Sequence, residues 1–325
     1  MSDDATDTFD CFGSRCSVHV SGEGPLGSAQ EAVAAARAAL LEWHQRFSRF
    51  IPDSELSRLN RNPHTRVETS SLMARLGACV RGAASLTGGL VDGTLLQALC
   101  SAGYTSDIAE PLPLTRALAL APPRRPAGPS PAARWRALEV DVSRPSITRP
   151  PGLAIDSGGI AKGLLADVLA ERLEGHALYA VNCAGDVAIG GAPAAAPREI
   201  EVESPFDGTV LHSFGLTHGG VATSGIGRRA WLDPDGRPAH HLLDPASGLP
   251  AFTGIVQVTA LAATALSAEV RAKAALLSGP RRAARWLPDG GVVVLDDGSH
   301  HILEPPPRVA LEDLQQFARA GARHA

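Results

Sequence analysis

The stretch AIDSGGIAKGLLAD, residues 154–167, constrains the chain most. A short apolar run reaches Asp156, two glycines follow, and then Ile160, Leu164, Leu165, Val168, Leu169 and Leu173 recur at helical spacing. The pattern predicts a strand ending at Asp156, a tight turn and an amphipathic helix from Ile160 to Leu173. Such a turn offers unpaired backbone N–H groups and the positive end of a helix dipole to an anion. Lys162 falls in the first helical turn, where a cation opposes the dipole. An external anion, or a nearby carboxylate such as Asp156 or Asp167, would account for it. The spacing is not that of the phosphate-binding G-x(4)-G-K-[ST] loop, because Lys162 precedes Gly163. A glycine-rich structural turn carrying a solvated lysine explains the same residues.

Lys162 stands out for a second reason. The chain of 325 residues has 30 Lys+Arg, and only Lys162 and Lys273 among them are lysines. The formal charge of −4, with no dense basic patch, argues against a nucleic-acid or anionic-membrane partner. With 44% hydrophobic residues the chain can bury a large core and is no disordered segment. No run of 18 or more apolar residues offers a membrane span, and the acidic start MSDDATD does not read as a secretory signal. Five cysteines without a CxxC pair argue against a disulfide framework or a zinc site. The expectation is a soluble cytoplasmic protein.

Periodicity predicts a strand over Cys16–Val20, a helix over Ala29–Phe47 and a short helix capped by Asp53 or Ser54. A long helix over Ser71–Leu86 should end at Gly88-Gly89, and Leu138–Val142 with Ser146–Thr148 should form a hairpin. Residues 111–131 carry seven prolines and read as a flexible surface insertion in one domain spanning 1–325, with a C-terminal tail from about 305. Strands over Tyr179–Asn182 and Val187–Ile189 flank Gly185-Asp186, a helix covers Ala265–Leu277, and Gly291–Leu295 is a late buried strand.

Further motifs each carry a chemical and a structural reading. VNCAGDVAIGG (181–191) is a hairpin-type turn by its Gly-Asp pair. In TSGIGRR (223–229), Ser224 lacks the G-x-S-x-G elbow of a nucleophile and reads as a hydrogen-bonding loop residue. HHLLDPASGLP (240–250) puts His241 three residues before Asp244. That spacing suits a base near a carboxylate or simply a turn forced by Pro245. Asp92 in LVDGTLLQAL reads first as a helix N-cap. Glu269 and Lys273 are at i and i+4 with Glu on the N-terminal side, the orientation of a surface ion pair.

Taken in order, SRFIPDSELSRLN, TGGLVDGTL, IDSGGIAKGLLAD, VNCAGDVAIGG, VATSGIGRR, HHLLDPASGLPA and AEVRAKAALL resemble the ApbE family, the FAD:protein FMN transferases. The resemblance runs from about Phe12 to Leu277. It implies an α+β fold of mixed, mainly antiparallel sheets flanked by helices, in two interleaved lobes with an FAD cleft between them. It implies transfer of FMN from FAD to a Thr or Ser hydroxyl of an acceptor flavoprotein, with release of AMP and help from magnesium. By motif, Phe12, Phe50, Leu90, Val91 and Asp92 would line the flavin or adenine pocket. Asp156 and Lys162 would contact FAD, and Ser224 and Gly225 would lie against its phosphates or adenine. His241 would deprotonate the acceptor hydroxyl with Asp244 close by, and Gly159 and Glu269 would face the metal.

The chain departs from the family's pattern at the metal. The second ligand position, a Thr in the family, is Lys273 here, and an ammonium has no lone pair to coordinate with. The resemblance therefore implies weakened or absent metal dependence, with the Lys273 ammonium supplying part of the charge. Two other readings stay open: an FAD pyrophosphatase giving FMN and AMP, and an FAD-binding protein whose catalysis is impaired.

Overall fold

The computed structural model describes residues 3–106, 108, 110–192 and 196–305. Its frame is an eight-stranded sheet in which every neighbouring pair is antiparallel. In chain order, which is also spatial order, the strands are β1 (Asp4–Cys11), β2 (Ser14–Ser21), β3 (Leu178–Cys183), β4 (Asp186–Gly191), β5 (Gly219–Gly225), β6 (Ile255–Ala262), β7 (Gly291–Leu295) and β8 (His300–Leu303). The inner strands are rich in Val, Ile and Ala and buried along most of their length, as a covered sheet requires.

The helices are α1 (Ala29–Phe47), α2 (Glu55–Arg61), α3 (Ser71–Leu86), α4 (Leu96–Ser101), α5 (Leu114–Leu120), α6 (Ala161–Leu173) and α7 (Ala265–Ser278). Helix α1 lies against β1 and β2, α6 against β3 and β4, and α7 against β5 and β6. These three helices form one layer over the sheet. Helix α1 begins with a capping box, in which the Ser28 hydroxyl accepts from the Glu31 N–H and Glu31 accepts from the Ser28 N–H. Helix α2 is capped by Ser54 and α3 by Ser70. Helix α6 is buried on nearly every side, Ala161, Gly163, Leu164, Leu165, Ala166, Val168 and Leu169 included, so it is a core helix rather than an amphipathic one.

Between β2 and β3 the chain leaves the sheet and builds the second lobe, where α3 packs on a three-stranded sheet of Arg66–Glu68, Ser146–Thr148 and Glu139–Asp141. The excursion after β5 returns to that side, where Trp231, Ala239 and Leu243 pack with Leu99, Ala102 and Tyr104. The lobes are thus interleaved along the chain, and the cleft lies between them.

Three local expectations change. Residues 154–156 form no strand. The Ile155 N–H donates to Asn60 Oδ1 and the Asn60 amide donates back to the Ile155 carbonyl, each at 2.8 Å, so one side chain replaces a neighbouring strand. Asp92 caps no helix: its Oδ1 accepts from the Thr94 N–H and hydroxyl in a local turn, and α4 starts later, after Leu95. The proline-rich run is a surface segment with its own structure, a helix over Leu114–Leu120 followed by an extended strap. Backbone bonds from Arg125 to Phe252 and from Ala127 to Leu277 pin that strap to the lobe junction. Pro305 is the last described residue, so the expected C-terminal tail otherwise lies outside the described residues.

Candidate active site

Two neighbouring clefts open between the lobes. One, of about 300 Å³, is lined by Phe12, Phe50, Leu90, Val91, Asp92, Tyr104 and Asp156 among others. The larger, of about 1040 Å³, is lined by Ser224, Gly225 and residues of the strand Arg198–Glu203. Both are bordered by Gly13, Gly158, Lys162, Arg229, His241 and Lys273, which form the neck between them. The sequence motifs therefore converge on one place, although the residues that carry them lie far apart in the chain.

Lys162 enters the neck from the first turn of α6. Its partner is neither Asp156 nor Asp167 but Asp186, with Nζ 2.5 Å from Oδ2. Burial works against the ammonium, but Asp186 and Glu269 hold its pKa above the ordinary value. Asp186 is 1% exposed, and burial and the Glu269 charge push its pKa up to about 6 against the pull of Lys162. Its other oxygen, Oδ1, has no hydrogen-bond partner. Asp186 reaches this place because Ala184 and Gly185 both take positive φ, 58° and 98°, the tight two-residue turn that matches strand twist. The hairpin forms as expected, but its turn pair is Ala184-Gly185 rather than Gly185-Asp186, and Asp186 is the first residue of β4. Asp167 instead accepts from the Ala265 and Leu266 N–H groups and anchors the start of α7.

Asp156 faces Arg49, whose Nε lies 3.4 Å from its Oδ1. Burial pushes the Asp156 carboxyl up, and Arg49 pulls it back in part. The Arg49 guanidinium also sits 4.1 Å and 4.4 Å from the ring centres of Phe50 and Tyr104, and it donates to the Tyr104 carbonyl. Phe12 takes φ 56° in the turn between β1 and β2, a costly conformation for a non-glycine residue. Arg229 donates to its carbonyl at 2.9 Å, and its ring meets His44 edge-on at 5.3 Å. Arg49, Arg229 and Asp186 were not identified as candidates from sequence. Arg229 stood inside the TSGIGRR motif, and its position after two glycines was the available signal. Ser224 is a buried residue of β5 rather than part of a loop.

His241 is half-buried in the neck. Burial, then the positive charge of Arg229, then His240, Lys273 and Lys162 push its pKa well below the ordinary value. The imidazole is therefore neutral at neutral pH, and its Nδ1 has no partner. Asp244 does not orient it. Its Oδ1 accepts from the Gly128 and Ala246 N–H groups at 2.9 and 3.1 Å, and its Oδ2 accepts from the Ser247 hydroxyl at 2.7 Å. Asp244 ties the 241–250 loop to the proline-rich strap.

Glu269 and Lys273 form the expected i, i+4 pair on α7, with Nζ to Oε1 at 2.8 Å, but it is no surface pair: Glu269 is fully buried and Lys273 is 6% exposed. Burial works against the Glu269 charge, yet Lys273 and Lys162 outweigh it and hold the carboxyl below its usual range. The second oxygen of Glu269 accepts from the Gly163 N–H at 3.0 Å. These residues do not fit a divalent metal. Both Glu269 oxygens already have donors, the residue at the second ligand position is a cation, and the Lys273 stem runs beside Gly159. Among the described residues, no group of three or more His, Cys, Asp or Glu could hold a metal ion. All five cysteines are free. None of the described helices is long and apolar enough to cross a membrane.

Comparison with known proteins gives the class to which this fold belongs. The sequence profile of the ApbE family matches residues 12–295, and the chain belongs to that family. It is similar to the FAD:protein FMN transferase of Haemophilus influenzae, 27% identical over 248 residues, which cover 71% of this chain and 68% of that one. It is 30% identical over 149 residues to the FAD:protein FMN transferase of Salmonella typhimurium, covering 44% of this chain and 42% of the other. Among solved structures, the ApbE protein of Thermotoga maritima superposes with TM-score 0.75 at 24% identity, covering 93% of this chain and 97% of that chain. The flavinyl transferase ApbE of Pseudomonas stutzeri superposes with TM-score 0.72 at 23% identity, over 92% and 94%.

Proposed function

We propose that the protein is an FAD:protein FMN transferase: it binds FAD, moves the FMN half onto a threonine or serine hydroxyl of an acceptor flavoprotein, and releases AMP. The observation that carries this reading is the meeting of Lys162, Arg229, His241 and Lys273 at the neck joining two clefts. The names of its relatives support it and favour transfer over FAD hydrolysis. A dinucleotide laid through the neck sets its diphosphate against three cations. Phe12, Phe50, Leu90, Val91 and Tyr104 offer apolar and aromatic faces to one ring system. Asp156 and Asp92 offer oxygen acceptors beside them, and Ser224 and Gly225 border the cleft on the other side.

Transfer of this kind depends on position and charge more than on covalent help from the enzyme. The acceptor hydroxyl oxygen attacks the FMN phosphorus. The bond from that phosphorus to the bridging oxygen breaks, and AMP leaves with the electron pair. His241 takes the hydroxyl proton, and its depressed pKa keeps it in the neutral, accepting form. Lys162, Lys273 and Arg229 face the charge that grows on the phosphoryl and bridging oxygens. Asp244 acts at one remove, by fixing the loop that carries His241.

Replacing His241 by Ala tests the assignment. FAD affinity should stay within about threefold while transfer falls by about 100- to 10,000-fold. Unchanged transfer would remove His241 from the base role. In wild-type enzyme the acid limb of kcat/KM should lie below pH 6.5, the ordinary pKa of histidine, because the base loses its neutral form only below its lowered pKa. An acid limb above pH 7 would contradict it.

A further inference from the structure

The neck holds two lysine–carboxylate pairs side by side, Lys162–Asp186 and Lys273–Glu269, and each carboxylate is almost wholly buried while each ammonium borders both clefts. Glu269 feels both lysines and accepts from the Gly163 N–H at the start of α6. The carboxylates thus lie behind the ammonium groups, away from an incoming anion, and hold them in place. A third cation, Arg229, is fixed by its bond to the Phe12 carbonyl.

The geometry points to Lys273 as a tethered substitute for a divalent cation: its ammonium, oriented by Glu269, supplies the counter-charge of the FAD diphosphate, and the enzyme binds and turns over FAD without a metal. The inference rests on the FAD reading above and adds the chemistry of the charge. A compact ammonium on a four-carbon stem acts on phosphate oxygens as a point charge, which is the electrostatic part of what a metal ion supplies. Glu269 has no free oxygen in first contact to offer a metal, and Lys273 none at all. Lys273 would also be a positioning partner for Glu269, which ties α7 to the first turn of α6 and so to Lys162.

The test uses the full chain stripped with EDTA, and its first readout is metal binding rather than activity. Mn2+ is titrated by calorimetry and by its paramagnetic resonance signal, with and without FAD. Wild-type protein should show no saturable Mn2+ site below about 1 mM, and its FAD turnover in EDTA should stay within about twofold of that in excess Mg2+. Lys273→Thr exchanges the ammonium for a hydroxyl oxygen and frees one Glu269 oxygen. It should gain a Mn2+ site, lose about 100-fold in EDTA, and recover with Mg2+. Lys273→Met should lose turnover without regaining it in metal. A tight Mn2+ site in wild-type protein, or wild-type turnover abolished by EDTA and restored by Mg2+, overturns the inference. The wild-type arms decide the matter even if a variant fails to fold. Absence of FAD binding and turnover under every condition would instead count against the FAD reading, and the Mn2+ titration would still report on Lys273.

Discussion

Gly163→Ala probes the joint that holds the neck together. Gly163 lies on α6 where the start of α7 crosses it, and a Cβ built there would stand 2.8 Å from the Ala265 carbonyl oxygen and 2.8 Å from both Cα and N of Leu266. All three are backbone atoms, so the contact is relieved only by moving one helix. Ordinary carbon contacts begin near 3.5 Å, so α6 and α7 must part by about 0.7 Å. That shift pulls on the Gly163–Glu269 bond and on the two bonds by which Asp167 anchors Ala265 and Leu266. Overpacking of this kind costs about 1–3 kcal/mol, against about 1 kcal/mol gained by replacing glycine with alanine in a helix. The net expectation is a loss of up to about 2 kcal/mol, seen as a lower urea midpoint at unchanged slope. Turnover should fall further than stability, by about 100-fold, because Lys162 and Lys273 sit on the two displaced helices. A variant more stable than wild type, as helix propensity alone requires, with normal turnover would refute the close-approach argument.

Asp186→Asn removes the partner of Lys162 and should lower stability by about 3 kcal/mol, read by urea titration at pH 7; a change within about 0.5 kcal/mol would mean that water, not Asp186, carries the Lys162 charge. His240 is 1% exposed, stands edge-on to Phe252, and is pushed by burial to a pKa of about 3. Because its pKa is lower in the fold than the ordinary 6.5 or so of an unfolded chain, its contribution is complete above pH 6.5 and is lost as pH falls toward 3. Stability should drop across that window, and His240→Leu should flatten the drop; an equally steep decline in the variant would place the acid sensitivity elsewhere.

The legibility of this chain follows the range of the interactions involved. Helix α1, the short helix whose expected cap was Asp53 or Ser54, and the 138–148 hairpin are local, and the residues that make them lie within a few positions of each other. Lys162 was marked by its rarity and by its place against the helix dipole. Its partner was not legible, because Asp186 is 24 residues away and the hairpin-turn reading of the Gly-Asp pair already gave it a sufficient backbone explanation. Arg49 and Asp156 meet across 107 positions, and Asn60 clasps Ile155 across 95, pairings that no local pattern encodes. Glu269 and Lys273 were read with the right geometry and the wrong environment. Spacing along a helix gives the pair, while burial depends on β5, β6 and α6 packing around it. Asp244 was drawn toward His241 by proximity in sequence, and the backbone of the strap competes for its oxygens more effectively.

The most direct test of the functional account is the mass of an acceptor flavoprotein domain after incubation with the purified enzyme and FAD. The account predicts that the domain gains the mass of FMN less one water on a single Thr or Ser. AMP should appear in equal amount, and His241→Ala should abolish both. Free FMN and AMP with the acceptor unchanged, under conditions where the enzyme is saturated with FAD, would contradict it.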